Sequence, residues 1–264
     1  NYWLILFSTA CFANMLGLNI SAGLKSQVAI YVLIPFLLIP QILLSGTIVK
    51  FDKLHGRLTN ELHPPVIADL MPSRWAYEAL AVAQFTDNKF EEKLFYIEQE
   101  ESKFSYKVNY YIPELTAILD KFRTQILYNE DTNQGKLKAN RLLLKNELKK
   151  LQEETGKTLP LEPESIEHGT FSESKIAAIE TYLNDIRKAF AEKLDEVLYK
   201  KDRVIENYTE EHAGNQKWSE LKKNHFNYAL AELVKRKDNP SKVIRKNNQI
   251  YRKFEPIFKI PDLK

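Results

Sequence analysis

From Val28 to Val49 the chain reads VAIYVLIPFLLIPQILLSGTIV, 22 residues without a charged side chain. A helix rises about 1.5 Å per residue, so this stretch is long enough to cross the ~30 Å hydrocarbon core of a bilayer. Tyr2–Leu24 ahead of it is equally free of charge, and only Lys25 interrupts the first 49 residues. Of the 73 Asp, Glu, Lys and Arg residues, 72 lie from Lys50 onward. An average composition therefore describes neither part. The expected fold is all-α: a membrane helical hairpin, then an amphipathic segment, then a large polar helical region.

A secretory signal would carry a basic start and an apolar core of roughly 7–15 residues. Tyr2–Leu24 has neither, and a second apolar run follows at once, so two spanning helices are expected. The first residue is Asn, not Met, which suggests a piece of a longer polypeptide. The single cysteine, Cys11, lies in the first apolar run, so the polar region must be held by its own core. The net charge of +3 has its signs interspersed, whereas nucleic-acid binding needs clustered basic charge. No nucleic-acid partner is expected.

Ser8, Ala10, Ala13, Gly17 and Ser21 place small residues along the first helix, which suits close helix packing in lipid. Asn14 and Asn19 either bond neighbouring helices and the interface or line a polar path. Lys25-Ser26 is a very short turn, so the two helices are expected to be antiparallel neighbours. Pro35 and Pro40 free carbonyls that only a surrounding bundle can satisfy. Gln41 and Ser45 lie one turn apart and share a face. These features call for further membrane helices beyond the two.

Pro64-Pro65 stops any helix through the following stretch. Ser73 is a candidate N-cap for a helix over Arg74–Phe85. Its Ala76, Leu80 and Ala83 share an apolar face, Arg74 and Glu78 form an i,i+4 pair, and Trp75 and Tyr77 suit a membrane interface.

The run LIPFLLIPQILLSGTIVKFDKL followed by DLMPSRWAYEALAVAQF resembles the fifth membrane helix and re-entrant segment of type-2 ABC exporters. The G subfamily, the white and pleiotropic drug resistance transporters, is the nearest in pattern. Pro40-Gln41 with Leu44-Ser45-Gly46, and Ser73-Arg74-Trp75-Ala76-Tyr77-Glu78-Ala79-Leu80, carry the resemblance, which covers roughly residues 1–90. It divides the chain into two transmembrane helices at 1–50, a re-entrant or interfacial segment at 51–90 and a polar helical insert at 91–264. It implies that the Lys25 turn is cytoplasmic and the insert lies outside. Lys50, Lys53 and Arg57, counted by the positive-inside rule, would put the insert in the cytoplasm; long domains escape that rule, and the resemblance is followed.

The resemblance also implies an ATP-driven permease that is one half of a homo- or heterodimer. ATP and Mg would be bound on an associated ABC ATPase domain, and the setting would be a bacterial inner membrane. Phe36, Gln41, Leu43 and Leu44 become candidates for the substrate path, with ordinary helix packing as the alternative for each. Arg74 and Glu78 become candidates for gating, with a plain surface ion pair as the alternative. The insert's length resembles enlarged bacterial members that carry such a region before a last helix.

The polar region reads as helices. Leu115, Ile118, Leu119, Phe122 and Ile126 form a stripe over Pro113–Tyr128. Leu137, Leu144, Leu148 and Leu151 form one over Lys136–Thr155, which Gly156 would end. Thr158–Gly169, with Pro160 and Pro163, is a connector. Thr170-Phe171-Ser172-Glu173 has the form of a capping box. It would open a helix to about Tyr208 with Ile176, Ile179, Leu183, Ile186, Phe190, Leu194 and Val197 inside. Gly214 breaks it, and two more helices are expected near Gln216–Arg236 and Ser241–Phe254, with no sustained strand period. The stripes suit a helical bundle or antiparallel coiled coil, or a docking face for a partner. In that second case the protein is a membrane-anchored scaffold.

Catalytic chemistry is not legible. No G-x-x-x-x-G-K-[ST] loop occurs in these residues. Leu44-Ser45-Gly46 resembles the start of an ABC signature but sits in an apolar helix. His55, His63, His168, His212 and His225 have no metal-ligand spacing. Glu91-Glu92, Glu100-Glu101 and Glu210-Glu211-His212 read as solvated faces or helix ends.

Overall fold

A computed structural model describes residues 2–46, 65–128, 134–167, 172–212, 215–236 and 241–259. It divides into two compact units, Asn1–Glu91 and Glu92–Lys264.

The first unit holds α1 (Tyr2–Gly23), α2 (Gln27–Leu43), the short α3 (Val66–Asp69) and α4 (Pro72–Thr86). Among the described residues α1 alone is long and apolar enough to cross a membrane; the described part of α2 is an apolar helix of 17 residues. The helix expected to run to Val49 stops short of it: α2 ends at Leu43, and Gly46 takes φ 80°; residues 47–49, Lys50, Lys53, Arg57, His55 and His63 lie outside the described residues. No residue of α1 or α2 is buried. The small residues of α1 are open, and a Cβ on Gly17 would meet nothing. α2 runs through both Pro35 and Pro40 and ends where the Leu44 N–H donates to the Pro40 carbonyl.

The hairpin's two helices are present, but their mutual contact is slight. α4 is the element that packs on both. On α1, Ile5, Thr9, Leu16 and Ile20 are the partly covered positions, on a near-helical period.

In the second unit, α5 (Glu91–Tyr106), a π-turn (Lys107–Tyr111) and α6 (Ile112–Tyr128) form one uninterrupted helical run. The Ile112 N–H reaches back five residues to the Lys107 carbonyl. Pro113 has no N–H to give the turn before it, and the wide π-turn directly upstream absorbs that loss. α7 (Gln134–Thr155), α8 (Pro163–Glu167) and α9 (Glu173–Glu211) complete the main body, followed by α10 (Asn215–His225) and α11 (Tyr228–Lys235).

The predicted stripes are the core. Leu115, Ile118, Leu119 and Phe122 of α6 are buried together with Leu144, Leu148 and Leu151 of α7. Ile176, Ile179, Leu183, Ile186 and Phe190 of α9 close the cluster, with Leu137 packed against it. The side chain of Ile126 lies outside the described residues. Gly156 ends α7 as expected, at φ 68° in the left-handed region.

Several expectations need correction. The connector carries α8, which starts at Pro163 and buries Ile166 against α7. The residue capping α9 is Ser172, with no side-chain cap bond; Thr170, Phe171, His168 and Gly214 lie outside the described residues. The helix expected over Gln216–Arg236 is split, because the Asn227 side chain accepts the Leu230 N–H at 3.0 Å and starts α11 anew.

The helix expected at Ser241–Phe254 is instead an antiparallel hairpin of β1 (Val243–Lys246) and β2 (Gln249–Arg252). Lys246 pairs with Gln249, so the loop is Asn247-Asn248, at φ 50° and 56°. Two consecutive left-handed residues are what a type I′ hairpin turn requires, and Asn tolerates them better than most residues. A 3₁₀ turn (Pro256–Phe258) follows and buries Phe258.

The hairpin is fastened to α7 by Glu147, a carboxylate only 1% exposed. It accepts from the Tyr111 hydroxyl at 2.7 Å, the Ile250 N–H at 2.9 Å and Lys150 Nζ at 2.9 Å. Asn146 donates to the turn carbonyl of Asn248 at 3.2 Å, and Arg245 pairs with Glu114 of α6.

Candidate functional site

The residues singled out in the first unit gather around α4. Pro72 occupies the first turn, where its fixed φ and missing N–H cost nothing, and Met71 is the capping residue. Ser73 is therefore inside the helix, not its N-cap. Its hydroxyl donates to the backbone carbonyl of Gln41 at 3.0 Å, tying α4 to the end of α2. Gln41 is partly covered, and Ser45, one turn on, is buried with its hydroxyl on the Ile42 carbonyl at 2.8 Å. The bond that ties α4 here goes to the Gln41 main-chain carbonyl and not to its side-chain amide. Gly46 takes φ 80° directly after Ser45.

Arg74 is only 8% exposed. Its guanidinium pairs with Asp69 of α3 and lies 3.6 Å from Glu78 one turn along α4. It also stacks 4.6 Å over the Trp75 ring, while the Trp75 indole N–H donates to the Asp69 carbonyl at 2.8 Å. This is more than an exposed i,i+4 pair, which contributes only about 0.3–0.5 kcal/mol. Arg74, Asp69 and Trp75 lock α3 to the start of α4. Asp69 escaped the sequence reading because it precedes Pro72 and falls outside the helical period of α4; an arginine five residues after an aspartate was the available signal. Ala76, Leu80 and Ala83 are half-buried as their period suggests, and Trp75 is half exposed.

The four path candidates differ in exposure. Phe36 is 77% exposed and Leu43 is exposed on the open side of α2, while Gln41 and Leu44 are half-covered. Phe36 borders an open apolar groove of about 590 Å³ along the start of α2, with Val32, Leu33 and Leu24. Such a surface offers shape and apolar contact.

Beyond the first unit, the acidic pairs read as solvated faces are not uniformly so. Glu92 and Glu100 are exposed, but Glu91 is fully buried and Glu101 pairs with Lys201 of α9 at 2.8 Å. Glu98, which the sequence reading passed over, meets Lys201 at 3.0 Å and Lys235 at 2.8 Å. Burial pushes its carboxyl up, but the two ammonium groups outweigh that and hold it below the usual range.

Comparison with curated proteins and with solved structures finds no match to the chain. A protein-family model described as ABC-2 type transporter matches residues 1–85. That match ends within α4 and supports, for the first third of the chain, similarity to the membrane domain of an ABC transporter permease.

Proposed function

We propose that this chain is part of the membrane-spanning permease of an ATP-driven ABC exporter. The family match over residues 1–85 carries the reading, since it covers the apolar helices and the α4 segment that packs on them. ABC-2 membrane domains usually work with an ABC ATPase, so ATP and Mg belong on that associated domain, on the same polypeptide or on a partner chain. The match is compatible with the G-subfamily pattern in Pro40-Gln41, Leu44-Ser45-Gly46 and the Ser73–Leu80 run. Under this reading a homo- or heterodimer alternates access in a bacterial inner membrane, with the second unit as an enlarged external insert.

The open faces of α1 and α2 then meet further membrane helices of the same transporter. Gln41 and Leu44 stand nearest the α2–α4 joint and, with Phe36 and Leu43, form the proposed path. Arg74 and Glu78 hold the entry of α4, the proposed gating segment. The scaffold alternative loses its main feature, because the Leu and Ile stripes of α6, α7 and α9 are consumed in the core of the second unit.

The test is to place Trp at Gln41 and at Leu44 separately and measure ATP hydrolysis and efflux in the full assembly. A bulky side chain on the path should lower efflux about ten-fold or more while basal hydrolysis persists, which is ~1.4 kcal/mol or more of lost coupling. Unchanged efflux in both variants would remove these residues from the path.

A further inference from the structure

The second unit contains a cavity of about 650 Å³ bordered by the π-turn, α7, β2 and the 3₁₀ turn. That size suits an organic ligand and far exceeds a bare inorganic anion. Tyr106, Tyr111, Tyr251 and Phe258 give it an aromatic lining. Its charges are lopsided, with five Lys or Arg side chains against two Glu.

Glu147, one of the two, is spent on Lys150, on the hairpin and on Tyr111. The other, Glu154, is shared: Lys107 bonds it directly and Lys103 lies 3.8 Å away. The Lys107 side chain is only 12% exposed. Burial pulls its ammonium below the ordinary lysine range in spite of Glu154, and Lys103 and Lys193 push in the same direction. Arg252 lies 5.5 Å from the Tyr106 ring, with one NH₂ group donating to Ser102 and its Nε to the Phe254 carbonyl. The Tyr106 hydroxyl is buried and has no hydrogen-bond partner among the described residues.

We infer that this cavity binds an organic anion, its carboxylate, sulfonate or phosphate group held at Lys103 and Lys107 and its flat apolar body on the Tyr and Phe lining. A bare inorganic anion would leave most of the space unfilled. An uncharged ring would add no acceptor for Lys103 and Lys107, which share the one carboxylate of Glu154 in a partly desolvated site, where charge-assisted bonds are strongest. The inference is independent of the transport reading, because every residue in it lies beyond the family match.

The experiment uses the full chain in phosphatidylcholine nanodiscs, titrated with naphthalene-2-sulfonate, with naphthalene-2-methanol and sodium sulfate as comparators. Saturable binding of the sulfonate is expected, weakened about ten-fold or more by the double substitution K103Q/K107Q. It should be unchanged by K188Q/K200Q, two exposed lysines of α9. A second measurement needs no variant: bound sulfonate should slow acetylation of Lys103 and Lys107 relative to Lys188 in the native chain. The inference is overturned by absent saturation, by equal binding of the neutral alcohol or of sulfate, by K103Q/K107Q binding like the native chain, or by no protection of the two lysines.

Discussion

Glu147 and Glu98 are two carboxylates withdrawn from water, and each is tolerated only because partners surround it. Glu147 takes three donors from three different places in the chain, at positions 111, 150 and 250. Nothing at position 147 announces this, since in the α7 sequence it is an acid set among Lys145, Lys149 and Lys150, which reads as a solvated face. Glu91 and Glu101 were misread for the same reason: adjacent acids look solvated until the fold shows what lies opposite. The side chains legible in advance were those whose role depends on local period, such as Ile179, Leu183 and Ile186. Gln41 and Ser45 were legible as one polar face, whereas the bond from Ser73 to the Gln41 main-chain carbonyl spans 32 residues and depends on no side chain at 41.

Glu98 supports a prediction with a definite sign. Its folded carboxyl is held below the usual value by Lys201 and Lys235. Its contribution is therefore fully present above the unfolded value of about 4.3 and is lost as the pH falls through the lower folded value. Glu98→Gln should cost about 2 kcal/mol at pH 7, since two partly buried lysines lose their shared partner. Thermal unfolding followed from pH 7 to 3 should then fall less steeply for the variant than for the native chain. Parallel acid slopes would show that Glu98 is not a source of the acid sensitivity.

Among the elements, the helices of the second unit were legible because each buries a continuous stripe over three or more turns. The hairpin was not, because strands of four residues give the two-residue period almost no length to appear. Its signal was the turn: Lys-Asn-Asn-Gln between Val-Ile-Arg and Ile-Tyr-Arg has the form of an I′ loop, and the helical context hid it. Asn248 should accept Gly with little change or a small gain, since glycine meets φ 56° without strain. Asn248→Val should cost about 1–2 kcal/mol in chemical denaturation, the penalty of a β-branched residue in the left-handed region. Equal stabilities of the Gly and Val variants would argue against a I′ turn. In the first unit, α1 and α2 were legible from missing charge alone. That α4 packs on both was not, because nothing in its own helical period names the elements it meets.

At the scale of the whole molecule, the charge distribution already separates an apolar start from a polar remainder, and the structure separates units at Glu91. The two units differ in where their apolar side chains go. The second unit buries its apolar stripes internally, while the first leaves Trp3, Leu4, Leu18, Tyr31 and Phe36 exposed. Large apolar surface of that kind is stable against lipid or other membrane helices and costly against water. The most direct test of the account is to recover the native protein from carbonate-washed membranes of its source and measure vanadate-sensitive ATP hydrolysis in the purified assembly. The chain is expected to stay with the membrane and to bring an ABC ATPase activity with it. Release by carbonate, or membrane-bound protein purified without any ATPase, would contradict it.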